Sequence, residues 1–160
     1  MDNYEINRKT IVIIPLSNNK SKVVEEDREY IVLKKSTEIV DHSCRYFGSS
    51  FLGRHEGTKN LIGVSYKTPI LIEETNNIIF FPTSSSRADD CYWISLEQIN
   101  DYNDYEGNSK IIFKNGYELI LNISIGSLEN QILRSTRLES VIRKRRKKVL
   151  QLIHLTGTKH

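Results

Sequence analysis

Residues 41–58 carry the side chains whose types and spacing are the most informative in the chain. The segment reads DHSCRYFGSSFLGRHEGT and contains the cations Arg45 and Arg54 among aromatic residues, glycines, serines and one cysteine. Neither an amphipathic helix nor a strand requires this mixture. Cationic donors separated by glycine and serine suit a backbone that approaches a polar ligand closely, and nucleic acid is the commonest large polyanion in a cell. The segment therefore indicates phosphate or groove contacts.

Catalytic or metal chemistry is the alternative use of the same segment. Asp41, His42, Cys44 and His55, together with the distant Cys91, are of the types that bind metals, but their spacing matches no zinc template. Cys44 and His42 form a nucleophile and a base only if the backbone turns them toward each other, and a small buried thiol is the simpler interpretation. We therefore predict neither a metal site nor a cofactor.

Motifs typical of enzymes are missing from the sequence. It contains no GxGxxG, GxxxxGK[ST], GxSxG or HExxH pattern. Residues 25–27 form an acidic cluster, but no second cluster completes a two-carboxylate or two-metal site, and we interpret the cluster as a solvated turn. The sequence therefore predicts that the protein is not an enzyme.

Two further cations lie in polar surroundings of the same kind. Lys67 precedes a threonine, and Arg87 closes a run of three serines. Hydroxyl and backbone groups of such neighbours can donate hydrogen bonds to phosphates while an arginine enters a groove. For the two arginines of residues 41–58, the alternative is a salt bridge to Asp41 or Glu56.

Composition predicts one domain without a membrane segment. The 160 residues, 38% of them hydrophobic, suffice for one domain with a core and not for two full ones. The longest apolar run, residues 11–14, is far below the roughly 18 residues of a membrane span, and the acidic N-terminus lacks the layout of a signal peptide. Two widely separated cysteines fit a reducing compartment. We expect a cytoplasmic protein with no membrane contact.

Net charge divides the chain into two unequal parts. Residues 126–160 carry nine Lys and Arg against two Glu, a net charge of +7, whereas residues 1–125 carry −4. Most of the excess lies in the run RKRRKK at residues 143–148, which attracts phosphate in a salt-sensitive way without reading base sequence. We therefore predict accessory phosphate contacts from Arg143, Lys144, Arg146 and Lys147. The alternative is a solvated basic helix end that contributes mainly to solubility.

The first half of the chain predicts two strands followed by two short helices. Thr10–Leu16 and residues 28–35 have strand-like composition, and the polar residues 17–21 connect them. Consecutive β-branched residues in the first strand indicate burial on both faces. Helical spacing predicts a helix over residues 36–48 and a second one from Ser50, with inward-facing side chains at Phe51, Leu52 and Leu61.

Strand-like segments dominate the middle of the chain. Three of them precede the strongest hairpin signal, and they are residues 70–73, 78–81 and 92–96. An Asn-Asn pair between the first two predicts a hairpin. The strongest signal is Asn115-Gly116 between the apolar residues 111–113 and 119–123. We interpret the polar residues 100–109 as a loop inside the domain.

A longer helix is predicted near the C-terminus. It begins at Ser127, whose side chain can cap it, and has one stripe formed by Leu128, Ile132, Ser135, Leu138 and Ile142. Six consecutive cations wind around a helix, so near Arg143 the helix must leave the core or unwind. Residues 149–155 then form a separate apolar patch for self-association or for a partner, unless the terminus is frayed. We predict a domain over residues 1–142 and a polybasic and apolar tail over residues 143–160.

These elements predict an α+β fold. We expect a mixed, largely antiparallel sheet with short inserted helices and a longer C-terminal helix. No repeat, low-complexity tract or clear linker divides the sequence. The inserted helices contain residues 41–58, so they must position the cations of that segment.

Ordered blocks across residues 4–138 resemble the family of the competence transcription factor ComK. The blocks are residues 41–58, KTPI at 67–70, FFPT at 80–83, SSSR at 84–87, WIS at 93–95, Phe113, Asn115, Gly116, Ser124, Ser127, Asn130, Gln131 and Arg134. Each block alone is common. Their order and spacing together make the resemblance specific.

The resemblance implies a transcriptional activator that binds A/T-rich promoter boxes in double-stranded DNA, largely through the minor groove, and switches on DNA-uptake genes. Such a groove is narrow and strongly negative and attracts arginine, whereas its base code barely goes beyond A·T against G·C. Carried over residue by residue, the resemblance assigns DNA binding to Ser43, Arg45, Ser49, Arg54, Lys67 and Arg87. Gly48, Gly53 and Trp93 also match, and we interpret them as backbone and core positions.

Expected partners follow from the same resemblance. A protein that makes few base contacts can recognise a site by the spacing of its half-sites instead. Because two copies must then bind half-sites about one helical turn apart, we expect a homo-oligomer. A proteolytic adaptor and RNA polymerase are further candidate partners that the family implies. When bound to DNA, the protein is expected at the bacterial nucleoid.

The C-terminal part departs from the family pattern. It is shorter than the family pattern predicts, and a polybasic run stands where family members carry more apolar and aromatic residues. No segment corresponds clearly to a recognised degron. Two alternatives therefore stay open: a DNA-binding module without activating ability, and a non-DNA interaction protein whose basic tail contacts acidic partners or anionic lipid.

Overall fold

Two antiparallel sheets and three helices make up the fold in the computed structural model, which describes residues 1–157. The elements in chain order are β1 Thr10–Leu16, β2 Lys20–Glu25, β3 Glu29–Val32, α1 Ser36–Tyr46, α2 Phe51–Ile62, β4 Ile70–Glu73, β5 Ile78–Pro82, β6 Trp93–Ser95, β7 Ile99–Tyr105, β8 Asn108–Phe113, β9 Glu118–Leu121 and α3 Ile125–Gly157. The predicted α+β class, with helices inserted after the N-terminal strands and a long C-terminal helix, is confirmed.

The larger sheet has the strand order β3-β2-β1-β6-β5-β4. Its neighbouring strands pair antiparallel, and Ile13 of β1 lies opposite Trp93 of β6. Ile13 points into the core beneath α1, whereas Ile11 and Val12 point into a second core beneath the smaller sheet. The predicted burial of β1 on both faces is therefore confirmed, as is the hairpin of β4 and β5.

The smaller sheet has the order β7-β8-β9. Its β8–β9 hairpin confirms the Asn115-Gly116 signal, and Gly116 adopts a φ of +92° that a side chain would strain. The predicted loop over residues 100–109 is wrong, because β7 occupies most of it and turns into β8 through Glu106 and Gly107. Both turn residues have positive φ, the pattern of a type I′ hairpin. Polar residues are tolerated in β7 because it is an edge strand with a solvated face.

The N-terminal strands also differ from the sequence prediction. The connection after β1 is only residues 17–19, where Asn18 and Asn19 have φ of 60° and 57°. The chain therefore turns back at once and forms β2, which the sequence did not indicate, and the strand predicted over residues 28–35 shortens to β3. Two strands, β2 and β3, thus occupy the region in which one strand was predicted after β1.

Glu25 corrects the interpretation of the acidic cluster. Predicted in a solvated turn, it instead ends β2, is 8% exposed and accepts a hydrogen bond from the Tyr4 hydroxyl. Burial raises the pKa of Tyr4, and the hydrogen bond to this carboxylate raises it further. The carboxylate therefore holds the N-terminal segment against the large sheet.

Helices α1 and α2 meet at a tight corner that the sequence largely predicted. The backbone amide of Gly53 donates to the Ser50 side chain at 3.0 Å, which makes Ser50 the N-cap of α2. Phe51 packs against the core beneath α1, whereas Leu52 is 67% exposed. The predicted inward direction of Leu52 is therefore wrong, because the corner turns only its neighbour toward the core.

Helix α3 packs on both sheets and then extends beyond them. Ser124, not Ser127, caps it, because the Ser127 amide donates to the Ser124 hydroxyl at 3.2 Å. The predicted stripe is confirmed: Leu128 is buried against the smaller sheet and Leu138 against α2 and the β4–β5 hairpin. Past residue 142 the helix leaves the core without unwinding, so the predicted domain boundary falls inside a continuous helix. Of the predicted tail, residues 158–160 lie outside the described residues.

No helix within residues 1–157 combines the length and the hydropathy that crossing a bilayer requires. In α3, charged side chains interrupt the apolar stripe repeatedly, and the run at residues 143–148 consists of cations alone. A charged residue is costly at the centre of a bilayer.

Gly116 provides a test of the β8–β9 turn, with Gly126 of α3 as its control. Gly116→Ala should destabilise the protein by about 1–2 kcal/mol, since a Cβ at positive φ contacts the following carbonyl. Gly126→Ala in the first turn of α3 should instead be neutral or stabilise by up to about 1 kcal/mol, since its Cβ meets only the Ser124 hydroxyl at 4.0 Å. Urea denaturation measures both, and equal effects would contradict the assigned turn.

Candidate nucleic-acid interface

Trp93 lies fully buried beneath the corner of α1 and α2. Its indole Nε1 donates to the Thr37 hydroxyl at 3.1 Å, and that hydroxyl donates to the backbone carbonyl of Ser86 at 2.6 Å. The Ser36 hydroxyl donates to the Cys91 carbonyl at 2.6 Å. The first turn of α1 therefore fixes the loop that carries Arg87.

A second set of contacts leads from Trp93 to Lys67. The Phe51 ring meets the Trp93 ring edge-on, with centroids 5.9 Å apart, and stacks on the His55 imidazole at 6.1 Å. His55 Nδ1 lies 2.6 Å from the Thr68 hydroxyl. Because Thr68 follows Lys67 directly, the position of the lysine depends on the packing of α2 against Trp93.

Helix α3 holds the same lysine segment from the other side. Lys67 has a φ of 51°, and its backbone carbonyl accepts a hydrogen bond from the side-chain amide of Gln131 at 2.9 Å. Gln131 also donates to the Pro82 carbonyl at 2.7 Å, and the Arg134 guanidinium donates to the Tyr66 carbonyl at 3.0 Å. Two helices thus stabilise an unusual backbone conformation at a cationic residue. The Lys67 ammonium lies 5.5 Å from the centre of the Tyr66 ring.

Two grooves open above this framework. The α1 groove, with a volume of about 600 Å³, runs between the β1–β2 turn and α1 and contains Lys20, Lys35 and Arg45. The α2 groove, about 370 Å³, contains His55 and Lys67. Both grooves share four lining residues, which form the ridge between them: Phe51, Leu52, Ser86 and Arg87.

Three of the predicted DNA-binding cations line the ridge or one of its two grooves, namely Arg45, Lys67 and Arg87. These residues come from α1, the segment before β4 and the loop before β6, so the fold alone brings them together. Arg87 is exposed and takes part in no ion pair among residues 1–157. We call the ridge, together with the α1 groove and the α2 groove, the ridge surface. It also contains a Lys35–Asp89 ion pair of 3.4 Å, and Glu38 and Asp41 line the α1 groove, so the charge of that groove is mixed.

Arg45 forms a salt bridge with Asp41, which is the alternative that the sequence left open. Its Nε lies 2.9 Å from the Asp41 carboxylate, and the side chain is 67% exposed. The same carboxylate accepts a hydrogen bond from the Phe51 amide at 2.9 Å, which links α1 to the start of α2. An exposed i,i+4 pair contributes only about 0.3–0.5 kcal/mol, so Arg45 can exchange this partner for a phosphate.

Arg54 and Ser49 lie apart from the ridge surface. The Arg54 side chain is 19% exposed, and its guanidinium lies 3.1 Å from Glu74, not from Glu56. Its Nε is buried without a hydrogen-bond partner among the described residues. Both residues line a separate depression together with Glu73 and Glu74, whose carboxylates make it unfavourable for an anion.

Ser43 is fully buried in α1. Its hydroxyl donates to the Ile39 carbonyl at 2.8 Å and accepts from the Ile6 amide at 3.0 Å. Both contacts are internal to the fold, and no part of the side chain is exposed. We therefore give Ser43 the role of joining the N-terminal segment to α1.

The polybasic run divides into paired and unpaired cations. Arg143 lies 2.7 Å from Glu139 one turn earlier, and the Arg146 guanidinium donates to the Glu74 carbonyl. Lys144 and Lys147 are exposed and take part in no ion pair among residues 1–157. Glu74 therefore contacts both Arg54 and Arg146, and it connects the β4–β5 turn to α2 and α3.

Neither cysteine has the environment of a nucleophile or a ligand. Cys44 and Cys91 are free and buried, and desolvation raises the pKa of the Cys44 thiol to about 12. The thiol therefore stays protonated near neutral pH. Residues 1–157 contain no cluster of three or more His, Cys, Asp or Glu side chains suited to a metal ion. His42 instead lies 2.8 Å from Glu5.

Three features of the ridge surface were missing from the sequence interpretation. Lys20 and Lys35 line the α1 groove, and Leu52 occupies the ridge. Lys20 belongs to β2, which was itself not predicted, and no local pattern at Lys35 indicates a groove. The exposed position of Leu52 results from the angle between α1 and α2, which a helical period does not encode.

Comparison with known proteins places the chain in a family. Residues 1–147 match the family model described as ComK protein, so the chain belongs to the ComK family. A relative named competence transcription factor, from Bacillus subtilis (strain 168), is 38% identical over 144 residues, which cover 88% of this chain and 75% of the relative. The family resemblance inferred from the sequence is confirmed. No solved structure gives a significant match.

The hydrogen bonds of Thr37 provide one test of this framework. Thr37→Val should lower the free energy of unfolding by about 1–3 kcal/mol, because it leaves the buried Trp93 Nε1 and the Ser86 carbonyl without their partner. Thr136→Val on α3 is the matched control, since that exposed hydroxyl donates only to the Ile132 carbonyl. Chemical denaturation measures the free energy of unfolding of both variants. Equal decreases in the two variants would contradict a supporting role for Thr37.

Arg54 and Arg45 should behave differently when each is truncated. Arg54→Ala should lower the free energy of unfolding by about 1–2 kcal/mol, because it removes a mostly buried side chain and its bond to Glu74. Arg45→Ala should lower it by less than about 0.5 kcal/mol. Urea titrations followed by circular dichroism measure both variants. An Arg54→Ala protein as stable as the parent would show that Arg54 has no structural role.

Proposed function

We propose that this chain is a competence transcription factor that binds double-stranded DNA through the ridge surface. The observation that carries the proposal is the convergence of Arg45, Lys67 and Arg87, which are distant in sequence, on one ridge and the two grooves beside it. Membership of the ComK family and the name of the 38% identical relative support the same role.

The minor groove of A/T-rich DNA is the surface that this arrangement suits best. That groove is narrow and strongly negative and attracts inserted arginine, and it offers few base-specific contacts. Arg45 and Arg87 are the exposed guanidinium groups of the ridge surface, and Lys67 adds a charge suited to a flanking phosphate. The N-terminus of α2 also lies on the ridge, so its helix dipole adds positive potential there.

The polybasic run contributes affinity in this proposal rather than site choice. Lys144 and Lys147 are exposed for phosphate contacts, whereas Arg143 and Arg146 must first exchange their intramolecular partners. Such contacts act on any sequence and weaken with salt. The run therefore strengthens binding to all duplexes.

Assembly of copies would supply the spacing that a minor-groove protein needs. Two copies on neighbouring half-sites about one turn apart read a longer site than either reads alone. The part of α3 beyond residue 142 exposes apolar side chains, including Val149 and Ile153, which suit contact with another copy or a partner. We therefore propose a homo-oligomer on DNA, with RNA polymerase and a proteolytic adaptor as further candidate partners.

A binding titration tests the DNA proposal. Fluorescence anisotropy with an A/T-box duplex and a G·C-rich duplex of equal length, over a salt series, should show tighter binding to the A/T box. Arg87→Ala and Lys67→Ala should each weaken this binding and reduce the slope of log affinity against log salt by about 1. A minor-groove competitor should displace the parent protein.

Matched variants separate the ridge surface from general charge. Lys114→Ala removes an exposed cation at the β8–β9 turn that lines neither groove of the ridge surface, and it should leave A/T preference unchanged. A Lys144→Ala and Lys147→Ala double variant should weaken binding to both duplexes alike. Equal affinity of the parent protein for A/T and G·C duplexes at near-physiological salt would refute specific binding. No measurable affinity for either duplex would favour a non-DNA interaction protein.

A further inference from the structure

Leu52 occupies the centre of the ridge surface. It is the second residue of α2, is 67% exposed and lines both the α1 groove and the α2 groove. Arg45 lies in the groove on one side, Lys67 in the groove on the other, and Arg87 shares the ridge itself. A large apolar side chain is thus surrounded by the cations to which we assign DNA binding.

The backbone fixes Leu52 in this exposed position. The preceding Phe51 donates its amide to Asp41 at 2.9 Å and packs its ring on Trp93, and Ser50 caps the helix. With Phe51 turned into the core, the next side chain is rotated by about 100° around the helix axis, and at this corner that direction leads to solvent. The exposure of Leu52 is therefore built into the corner of α1 and α2.

Single exposed leucines are common on protein surfaces. Leu52 differs from them because it lies between cations to which we assign DNA binding. If Arg45, Lys67 and Arg87 bind the phosphates and groove of one duplex, the ridge between them meets the base edges. Minor-groove proteins often insert an apolar side chain between base steps, which unstacks the step and kinks the duplex. Pyrimidine–purine steps such as TA unstack most easily, and A/T-rich boxes can contain them.

We propose that Leu52 acts as a wedge that enters a base step of the A/T-rich duplex from the minor groove and selects sites by how easily that step opens. This proposal rests on DNA binding by the ridge surface. Arg45, Lys67 and Arg87 attract the duplex, and Leu52 makes binding depend on how easily the base step deforms. It gives the protein sequence preference at a step where no hydrogen bond is made.

Fluorescence of 2-aminopurine tests the wedge directly. The protein is titrated into A/T-box duplexes in which single adenines are replaced in turn by 2-aminopurine, and binding is followed by anisotropy on the same duplexes. The parent protein should raise the fluorescence severalfold at one step and not at the others. Leu52→Ala should lose this rise at saturating protein, whereas Leu133→Ala should keep it, since Leu133 on α3 is equally exposed at 68%.

A mismatch provides the second readout. The parent protein should bind a duplex with a mismatched base pair at the responding step severalfold more tightly than the intact box, because that step is already unstacked. Leu52→Ala should show no such gain. Its fold should be intact by circular dichroism, because alanine is a better helix former than leucine and no core contact is removed.

Each outcome bears on one proposal or on both. Specific binding with no 2-aminopurine response at any step, or an equal response from Leu52→Ala, would overturn the wedge and leave DNA binding by the ridge surface standing. Absence of A/T preference in the anisotropy measurement would overturn both proposals. A response that Leu133→Ala also loses would show that exposed leucines affect the complex in general, and this too would overturn the assignment to Leu52.

Discussion

The buried side chain of Trp93 is the interaction on which the rest of the structure depends. Its indole nitrogen bonds to Thr37, which in turn holds the Ser86 carbonyl, and its ring supports Phe51 at the start of α2. A buried indole N–H requires a partner, and the partner chosen here links β6 to α1 and to the loop that carries Arg87. One aromatic residue thus sets the positions of two helices and one loop.

Cations of the same chemical type have different roles because of what surrounds them. Arg54 sits mostly buried against Glu74, whereas Arg87 is exposed without an ion pair among the described residues. Arg45 lies between these cases, since its pair with Asp41 is exposed to water and weak. Within the described residues, the arginines of the ridge surface therefore have intramolecular ion-pair partners that are absent or easily exchanged. The conspicuous run at residues 143–148 is partly engaged by Glu74 and Glu139.

Prediction from the sequence succeeded where local patterns are strong. The limits of β1 and β4, the Asn115-Gly116 hairpin and the stripe of α3 depend on contiguous apolar residues, turn residues or helical spacing. Prediction failed at β2 and β7, whose sequences KSKVVE and INDYNDY lack the strict alternation of apolar and polar residues that indicates a strand, so that only the pairing with neighbouring strands defines them. The exposure of Leu52 was missed because helical period does not give the angle at which two helices meet.

The sequence by itself determined the family, the α+β class, most of the elements and the residue types available for binding an anion. The tertiary structure alone decided which of those residues share a surface. Lys67 and Arg87 line one groove although they are far apart along the chain, and Arg54 turns toward Glu74 instead of joining them. The physical reason is that periodicity and turn chemistry act over a few residues, whereas an ion pair or a groove depends on distances that only the packed core fixes.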